Sequence, residues 1–139
     1  MNKEASYKIN AVIAEIELAI NPILAVLEEM EVDAKTIYRV RLALDELITN
    51  VVSYAYDGGE GEVEIHYEIV DDPVKAIIIS IIDEGVAFDP LESNDPNIKL
   101  NADERKIGGL GLFIVKNTMD SMEYRRENNK NILTIKKNL

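Results

Sequence analysis

Cysteine is absent from this 139-residue chain. That excludes a disulfide framework and any cysteine–zinc site, and it fits a reducing compartment. Histidine occurs once, as His66, so a histidine-based metal cluster is excluded. Nothing around His66 supports a Ser–His–Asp triad either. No apolar run approaches the roughly 18 residues that a membrane span needs. Met1-Asn2-Lys3-Glu4-Ala5 lacks the apolar core of a signal peptide. The expectation is a cytoplasmic protein that does not engage membranes. Positive charge is also scarce: 15 Lys and Arg stand against 26 Asp and Glu, a net charge of −11. A general nucleic-acid binder needs a basic face to neutralise phosphates, so direct nucleic-acid binding is not expected. The acidic balance is most simply a solubility feature. Repeats, low-complexity tracts and Pro/Ser-rich linkers are missing too. One domain over residues 1–139 with one hydrophobic core is expected.

Hydrophobic periodicity then orders the chain. A short strand is expected around Ser6–Asn10. Ala14–Met30 reads as a helix, with Ile16, Ile20, Ile23, Leu24 and Leu27 at helical spacing and Pro22 as a potential kink. Asp33 suits the N-cap of a second helix running to about Tyr54. The core stripe of that helix is Ile37, Val40, Leu44, Leu47, Ile48 and Val51. Asp57-Gly58-Gly59 is turn chemistry. Glu62–Val70 alternates as a half-buried strand. Lys75–Ile82 is almost continuously β-branched, which predicts a central strand buried on both faces. Pro90–Ile107 is polar and aperiodic, so a loop is expected. A helix from about Leu110 to Met119 follows. Strands Met122–Glu127 and Ile132–Lys137 then flank a turn at Asn128-Asn129-Lys130. The predicted class is α/β (α+β): a two-layer sandwich with a mixed, mainly antiparallel sheet and helices on one face.

Three groups of residues could carry chemistry. Gly108-Gly109-Leu110-Gly111-Leu112 opens a helix. A helix N-terminus offers free N–H groups and a positive dipole end, and glycines let an anion approach. Glu46 and Asn50, four residues apart, share one helix face on the flank of the apolar stripe. There they could line a cleft, while Asp45 falls on the opposite flank. Asp83-Glu84-Gly85 ends a strand, where ligands bind in α/β sheets. Asp83 could accept a hydrogen bond from an adenine amino group, and Gly85 would let a flat base approach. Each group alone also fits a plainer reading: a solvated polar pair, an ordinary turn, or a hinge with Gly111 at a close helix–sheet contact. Rossmann spacing fails because Ile114 stands where the third glycine belongs, and no strand precedes. A P-loop and the eukaryotic-type kinase motifs are missing as well.

In chain order, these segments resemble the GHKL ATPases, whose Bergerat ATP-binding fold is shared by gyrase, histidine kinases and a heat-shock chaperone. Glu46-Leu47-Ile48-Thr49-Asn50 is similar to the family's N box. Asp83 to Pro90 is similar to its first glycine box, and Gly108 to Leu112 to its second. Within the superfamily, the chain is most similar to the bacterial anti-sigma factor serine kinases. Phe88-Asp89-Pro90, the run from Asp120 to Glu127, and Asn131-Ile132-Leu133-Thr134 carry that likeness, which extends over roughly Ser6 to Lys137.

The resemblance implies ATP and Mg²⁺ as cofactors. Asn50 would hold Mg²⁺ between the phosphates, and Asp83 would accept from the adenine amine with Gly85 and Phe88 nearby. Gly108, Gly109, Leu110, Gly111 and Leu112 would cradle the phosphates through backbone amides. Glu46 would act as general base toward an attacking hydroxyl. The loop Pro90–Ile107 would be a lid, with Arg105 a candidate phosphate contact from its charge and position. The acceptor would be a serine on a STAS-domain anti-sigma antagonist, and the released kinase would hold a sigma factor or another regulatory protein. Homodimers are common in the family. Two departures stand out: Tyr54 occupies a position where the branch often has histidine, and Asn131, which the resemblance counts among the nucleotide-binding residues, stands where many GHKL proteins carry a threonine near the adenine. The alternative is a non-catalytic, nucleotide-dependent binding switch. An ATPase fragment that dimerises on ATP is a third reading.

Overall fold

The strand richest in β-branched residues, Ala76–Asp83, lies at the centre of a five-stranded sheet. In the computed structural model, which describes residues 3–92 and 109–139, the chain begins with β1 (Glu4–Asn10) and a short 3₁₀ turn (Ile13–Glu15). Helices α1 (Ile16–Glu29) and α2 (Ala34–Asn50) follow, and a π-helical turn (Val51–Ala55) extends α2. Then come β2 (Glu62–Val70), β3 (Ala76–Asp83), a 3₁₀ turn (Pro90–Glu92), α3 (Gly109–Thr118), β4 (Ser121–Glu127) and β5 (Lys130–Asn138). The strand order is β1-β2-β3-β5-β4. All of these neighbouring pairs are antiparallel, so the parallel component of the expected mixed sheet is not found among the described residues.

Side-chain alternation builds one apolar face. Ile65 and Leu133 flank Ile81 in the register, and Tyr67 and Ile135 flank Ile79. All six are buried. The stripes of α1 (Ile16, Ala19, Ile20, Ile23, Leu24, Leu27) and α2 (Val40, Ala43, Leu44, Leu47, Ile48) join the same core. Leu112 and Val115 of α3 complete it. Burying each such Leu or Ile contributes about 1.5–3 kcal/mol. The other face carries no described helix, and apart from Ala76 its central residues on β2, β3 and β5 are only half-buried: Glu64, His66, Glu68, Ile78, Ser80, Ile82, Ile132 and Thr134. This corrects the expectation that β3 is buried on both faces. A β-branched run marks a central strand here, not a doubly covered one.

Local signals account for several boundaries. Asp33 caps α2, its side chain accepting from the Thr36 N–H at 3.1 Å. Pro22 lies on the exposed side of α1, and the helix runs through it. Asn128 and Asn129 both have positive φ, 53° and 64°, as a tight two-residue hairpin turn requires. That turn sets Arg126 opposite Asn131.

Asp120 ties the end of β5 to the start of β4. Its carboxylate accepts from the Asn138 N–H at 2.6 Å and from Lys137 Nζ at 3.3 Å. The Asn138 N–H, followed by Lys137, holds the carboxyl below its ordinary value. A depressed carboxyl stabilises the fold above its unfolded pKa of about 3.9, and this contribution is lost as pH falls through the native value. Asp120→Ala should therefore cost about 0.5–1 kcal/mol at pH 7, a figure already reduced for solvent screening. In urea unfolding at descending pH, the gap between variant and parent should shrink below about pH 4 and close once the carboxyl is protonated in both states.

Candidate functional site

A cleft opens where the C-terminal end of α2 passes over the ends of β3 and β5. Its open space, mouth included, is about 470 Å³. Leu47, Val51, Ile81 and Leu133 give it apolar walls. Asn50, Asp83 and Asn131 are the polar groups among its lining residues, together with the hydroxyls of Tyr54 and Tyr124. Val86 and Phe88 form an exposed apolar rim, 57% and 45% accessible.

Asp83 ends β3 on the inner face and is only 5% exposed. A carboxylate in that position must be satisfied by donors. Its Oδ1 accepts from the Gly85 N–H and from Asn131 Nδ2, both at 2.9 Å. Its Oδ2 accepts from no described residue, yet no buried side-chain oxygen in the described structure lacks a partner. Oδ2 therefore keeps access to open space and can take a donor from a ligand.

Asn131 is equally buried, and both ends of its amide are engaged. Nδ2 also donates to the Val86 carbonyl at 2.8 Å. Oδ1 accepts from Tyr124 Oη at 2.5 Å and from Arg126 Nη1 at 3.1 Å. Asn131 thus stands behind Asp83 rather than offering a free polar atom of its own. The turn after Asp83 is held from the far side by Tyr56, whose hydroxyl accepts from the Glu84 N–H at 2.9 Å and donates to the Glu62 carbonyl at 2.5 Å. Burial, reinforced by the charges of Asp83 and Glu84, raises the Tyr56 phenol above its ordinary value despite the opposing bond from Glu84. It therefore remains a donor.

Two glycines are explained by what fills the space beside them. A Cβ on Gly85 would collide with the backbone of Ala55, in the π-helical turn. The Ala55 carbonyl in turn accepts from the Val86 N–H at 2.8 Å. Gly85 thus serves chain packing, a role distinct from the expected approach of a base. A Cβ on Gly111 would collide with the carboxylate of Glu46. The close contact at Gly111 is therefore between α3 and α2, not between helix and sheet.

The structure brings Asn50, Asp83, Phe88 and Asn131 around one cleft and sets Glu46 beside it against the first turn of α3. Glu46 and Asn50 are half-buried, whereas Asp45 is exposed. Gly109 and Leu110 open α3. Leu112 is a core side chain, 2% exposed, so only its backbone could face a ligand. Gly108, Arg105 and the loop from residue 93 to 107 lie outside the described residues. Sequence reasoning did not single out Tyr124, Arg126 and Tyr56. For the first two, the available signal was the alternation of β4 combined with the Asn128-Asn129 turn, which sets them opposite Leu133 and Asn131.

Among the described residues, no group of three His, Cys, Asp or Glu could hold a metal. The Asn50 amide oxygen is the available neutral ligand at the cleft. That suits Mg²⁺, which usually takes few protein ligands and completes its shell with phosphate and water oxygens. No described helix is long and apolar enough to cross a membrane.

Comparison with known proteins finds relatives in sequence and in fold. The chain is 34% identical over 90 residues to the serine-protein kinase RsbW of Listeria innocua, covering 60% of this chain and 55% of the relative. It is 34% identical over 98 residues to the RsbW of Staphylococcus aureus, covering 63% and 57%. Similarity to the serine/threonine-protein kinase BtrW of Bordetella bronchiseptica is 28% over 102 residues, 73% of this chain and 70% of that one. The matched segment thus spans just over half the length of the RsbW relatives. A crystal structure of the RsbU and RsbW domains of a Mycobacterium tuberculosis protein shares the fold, with TM-score 0.67 and 16% identity over 99% of this chain and 32% of that one. Residues 9–137 match the histidine kinase-like ATPase domain, and the chain belongs to that GHKL-type family.

Proposed function

We propose that the cleft binds Mg-ATP and that the protein transfers the γ-phosphoryl group to a serine of a STAS-domain partner. In the same reading, its other state holds a sigma factor or a similar regulatory protein. One observation carries the nucleotide assignment: a buried carboxylate, Asp83, with one oxygen pinned and the other open, at the base of an apolar cleft. An adenine presents an amine for Oδ2 and an apolar ring for Ile81, Leu133 and Val51. The names of the relatives, serine-protein kinases, support the transfer step.

The residues divide the work. Asn50 would ligate Mg²⁺, which when bound neutralises phosphate charge. The first turn of α3, with Gly109 to Leu112, would direct backbone N–H groups at the phosphates. Glu46 would take the proton from the attacking serine hydroxyl as its oxygen bonds to phosphorus and the bond to the ADP oxygen breaks. Phosphoryl transfer rests mainly on positioning and charge neutralisation, and the general base adds roughly 10²–10⁴.

Titration calorimetry with Mg-ATP tests the site. Asp83→Asn should weaken binding at least about tenfold, because a charge-assisted bond worth ~1.5–3 kcal/mol is lost. Wild-type protein that binds no ATP would refute the nucleotide reading. Labelled phosphate transfer to a purified STAS protein tests the chemistry. Glu46→Gln should keep ATP affinity within about threefold while transfer falls about 10²–10⁴-fold. ATP binding without transfer by the wild type would instead identify a nucleotide-dependent binding switch. Gly111→Ala should melt within a few degrees of the parent, since only the end of a flexible side chain must move. Its transfer rate should still fall on the order of tenfold, because the Glu46 carboxylate is displaced.

A further inference from the structure

We propose that Arg126 and Tyr124 are positioning residues that set the base selectivity of the cleft, acting on Asp83 through Asn131. This rests on the reading of the cleft as an adenine site. The chemistry of the partners fixes the orientation of the Asn131 amide. Arg126 can only donate, so the atom it meets at 3.1 Å is the Asn131 oxygen. The Val86 carbonyl can only accept, so its partner at 2.8 Å is the Asn131 nitrogen. Tyr124 Oη, 2.5 Å from Asn131 Oδ1, is compatible with that orientation alone when it donates. The NH₂ end of Asn131 is therefore directed at Asp83 Oδ1.

Arg126 does a second thing. The same Nη1 donates to the Gly85 carbonyl at 2.8 Å, and Gly85 supplies the other donor to Asp83 Oδ1. One guanidinium thus steadies both groups that pin Oδ1. With Oδ1 pinned, the carboxylate is held in place, and on the adenine reading Oδ2 is the acceptor left for the base. A fixed acceptor rewards an amine at C6 of a purine and opposes a carbonyl there. If the pin is loosened, Asp83 can turn away or admit a water that bridges it to a C6 carbonyl, and the penalty against that carbonyl falls. Selectivity thus depends on two residues that act through Asn131, Tyr124 from the cleft wall and Arg126 from behind it.

The test compares Mg-ATP with Mg-ITP, which differ in the amine or carbonyl at C6, by calorimetry on the wild type, Arg126→Ala and Tyr124→Phe. The wild type should prefer ATP by about tenfold or more, as expected when a site built for a hydrogen bond meets an acceptor instead. Each variant should narrow that ratio by at least about threefold, chiefly through weaker ATP binding, while the thermal unfolding temperature without nucleotide stays within a few degrees. A purely structural role would lower both affinities together and leave the ratio intact. A wild type that prefers ATP alongside two folded variants that keep its ratio would overturn the positioning role and leave the adenine site standing. A wild type that binds neither nucleotide, or both equally, would overturn the adenine reading and this inference with it.

Discussion

The constraint on which the rest of the site depends is the burial of one carboxylate. Asp83 sits at the inner end of the central strand, where its neighbours in the sheet are Val63 and Asn131. A carboxylate placed there without donors would cost several kcal/mol. The fold supplies donors from two directions. The chain turns immediately at Gly85 to bring back an N–H, and β5 contributes an amide side chain. That solution propagates outward. Asn131 has to be buried, so its own oxygen needs Tyr124 and Arg126 from β4. The tight Asn128-Asn129 turn is what brings β4 into the register that delivers them. A single polar position therefore accounts for a turn, a hairpin and a buried network on two strands.

The glycines follow from the same economy of space. Gly85 has no room for a side chain because the extension of α2 lies against it, and the Ala55 carbonyl there accepts from Val86. The π-helical turn at Val51–Ala55 is what carries that carbonyl to the loop. Such turns interrupt the regular ladder of a helix and recur at functional sites. Gly111 has no room because Glu46 occupies it. Helix α2 thus touches both glycine segments, one with its side chain and one with its backbone. The spacing of the two glycine boxes is in this sense a record of how closely α2 approaches each of them.

Much of the fold was legible in the sequence. Strand β2 was readable to the residue because Val63, Ile65, Tyr67 and Ile69 alternate without a break. Asp33 was readable as a cap because few residues other than Asp, Asn, Ser or Thr can satisfy a free helix N–H. The uncovered, half-buried outer face of β3 was not legible. Ile78 and Ile82 are as β-branched as Ile79 and Ile81, and composition cannot say which face a helix covers. The π-helical turn was also hidden, because Val51 to Ala55 continues the apolar stripe of α2 and its hydrogen-bond shift leaves no trace in residue type. Glu46, Asn50 and Asp83 could be picked out because polar residues beside an apolar stripe or at a strand end are conspicuous. Arg126 could not, since an exposed arginine on an edge strand looks like any other. Only its register against Asn131 gives it a task.

The placement of Glu46 and Asn50 carries one step further. They are one helical turn apart, about 6 Å along the axis, yet they face different surroundings. Asn50 lines the cleft that holds Asp83, whereas Glu46 is set against the first turn of α3. Along α2 the sequence of chemistries is therefore a buried carboxylate beyond its C-terminal end, a neutral amide at its last turn, and a second carboxylate one turn back beside a helix N-terminus. On the proposed reading, that order is the order of a nucleoside triphosphate: base, metal-bridged phosphates, reacting phosphate. The neutrality of Asn50 matters in this arrangement. A carboxylate there would stand among phosphate oxygens and repel them whenever the metal is absent, whereas an amide oxygen ligates a cation without adding charge. The second carboxylate is tolerable one turn away because the positive end of the α3 dipole lies against it. An acidic chain can thus present a phosphate site without a described lysine or arginine lining the cleft, provided the helix terminus and the metal supply the positive charge.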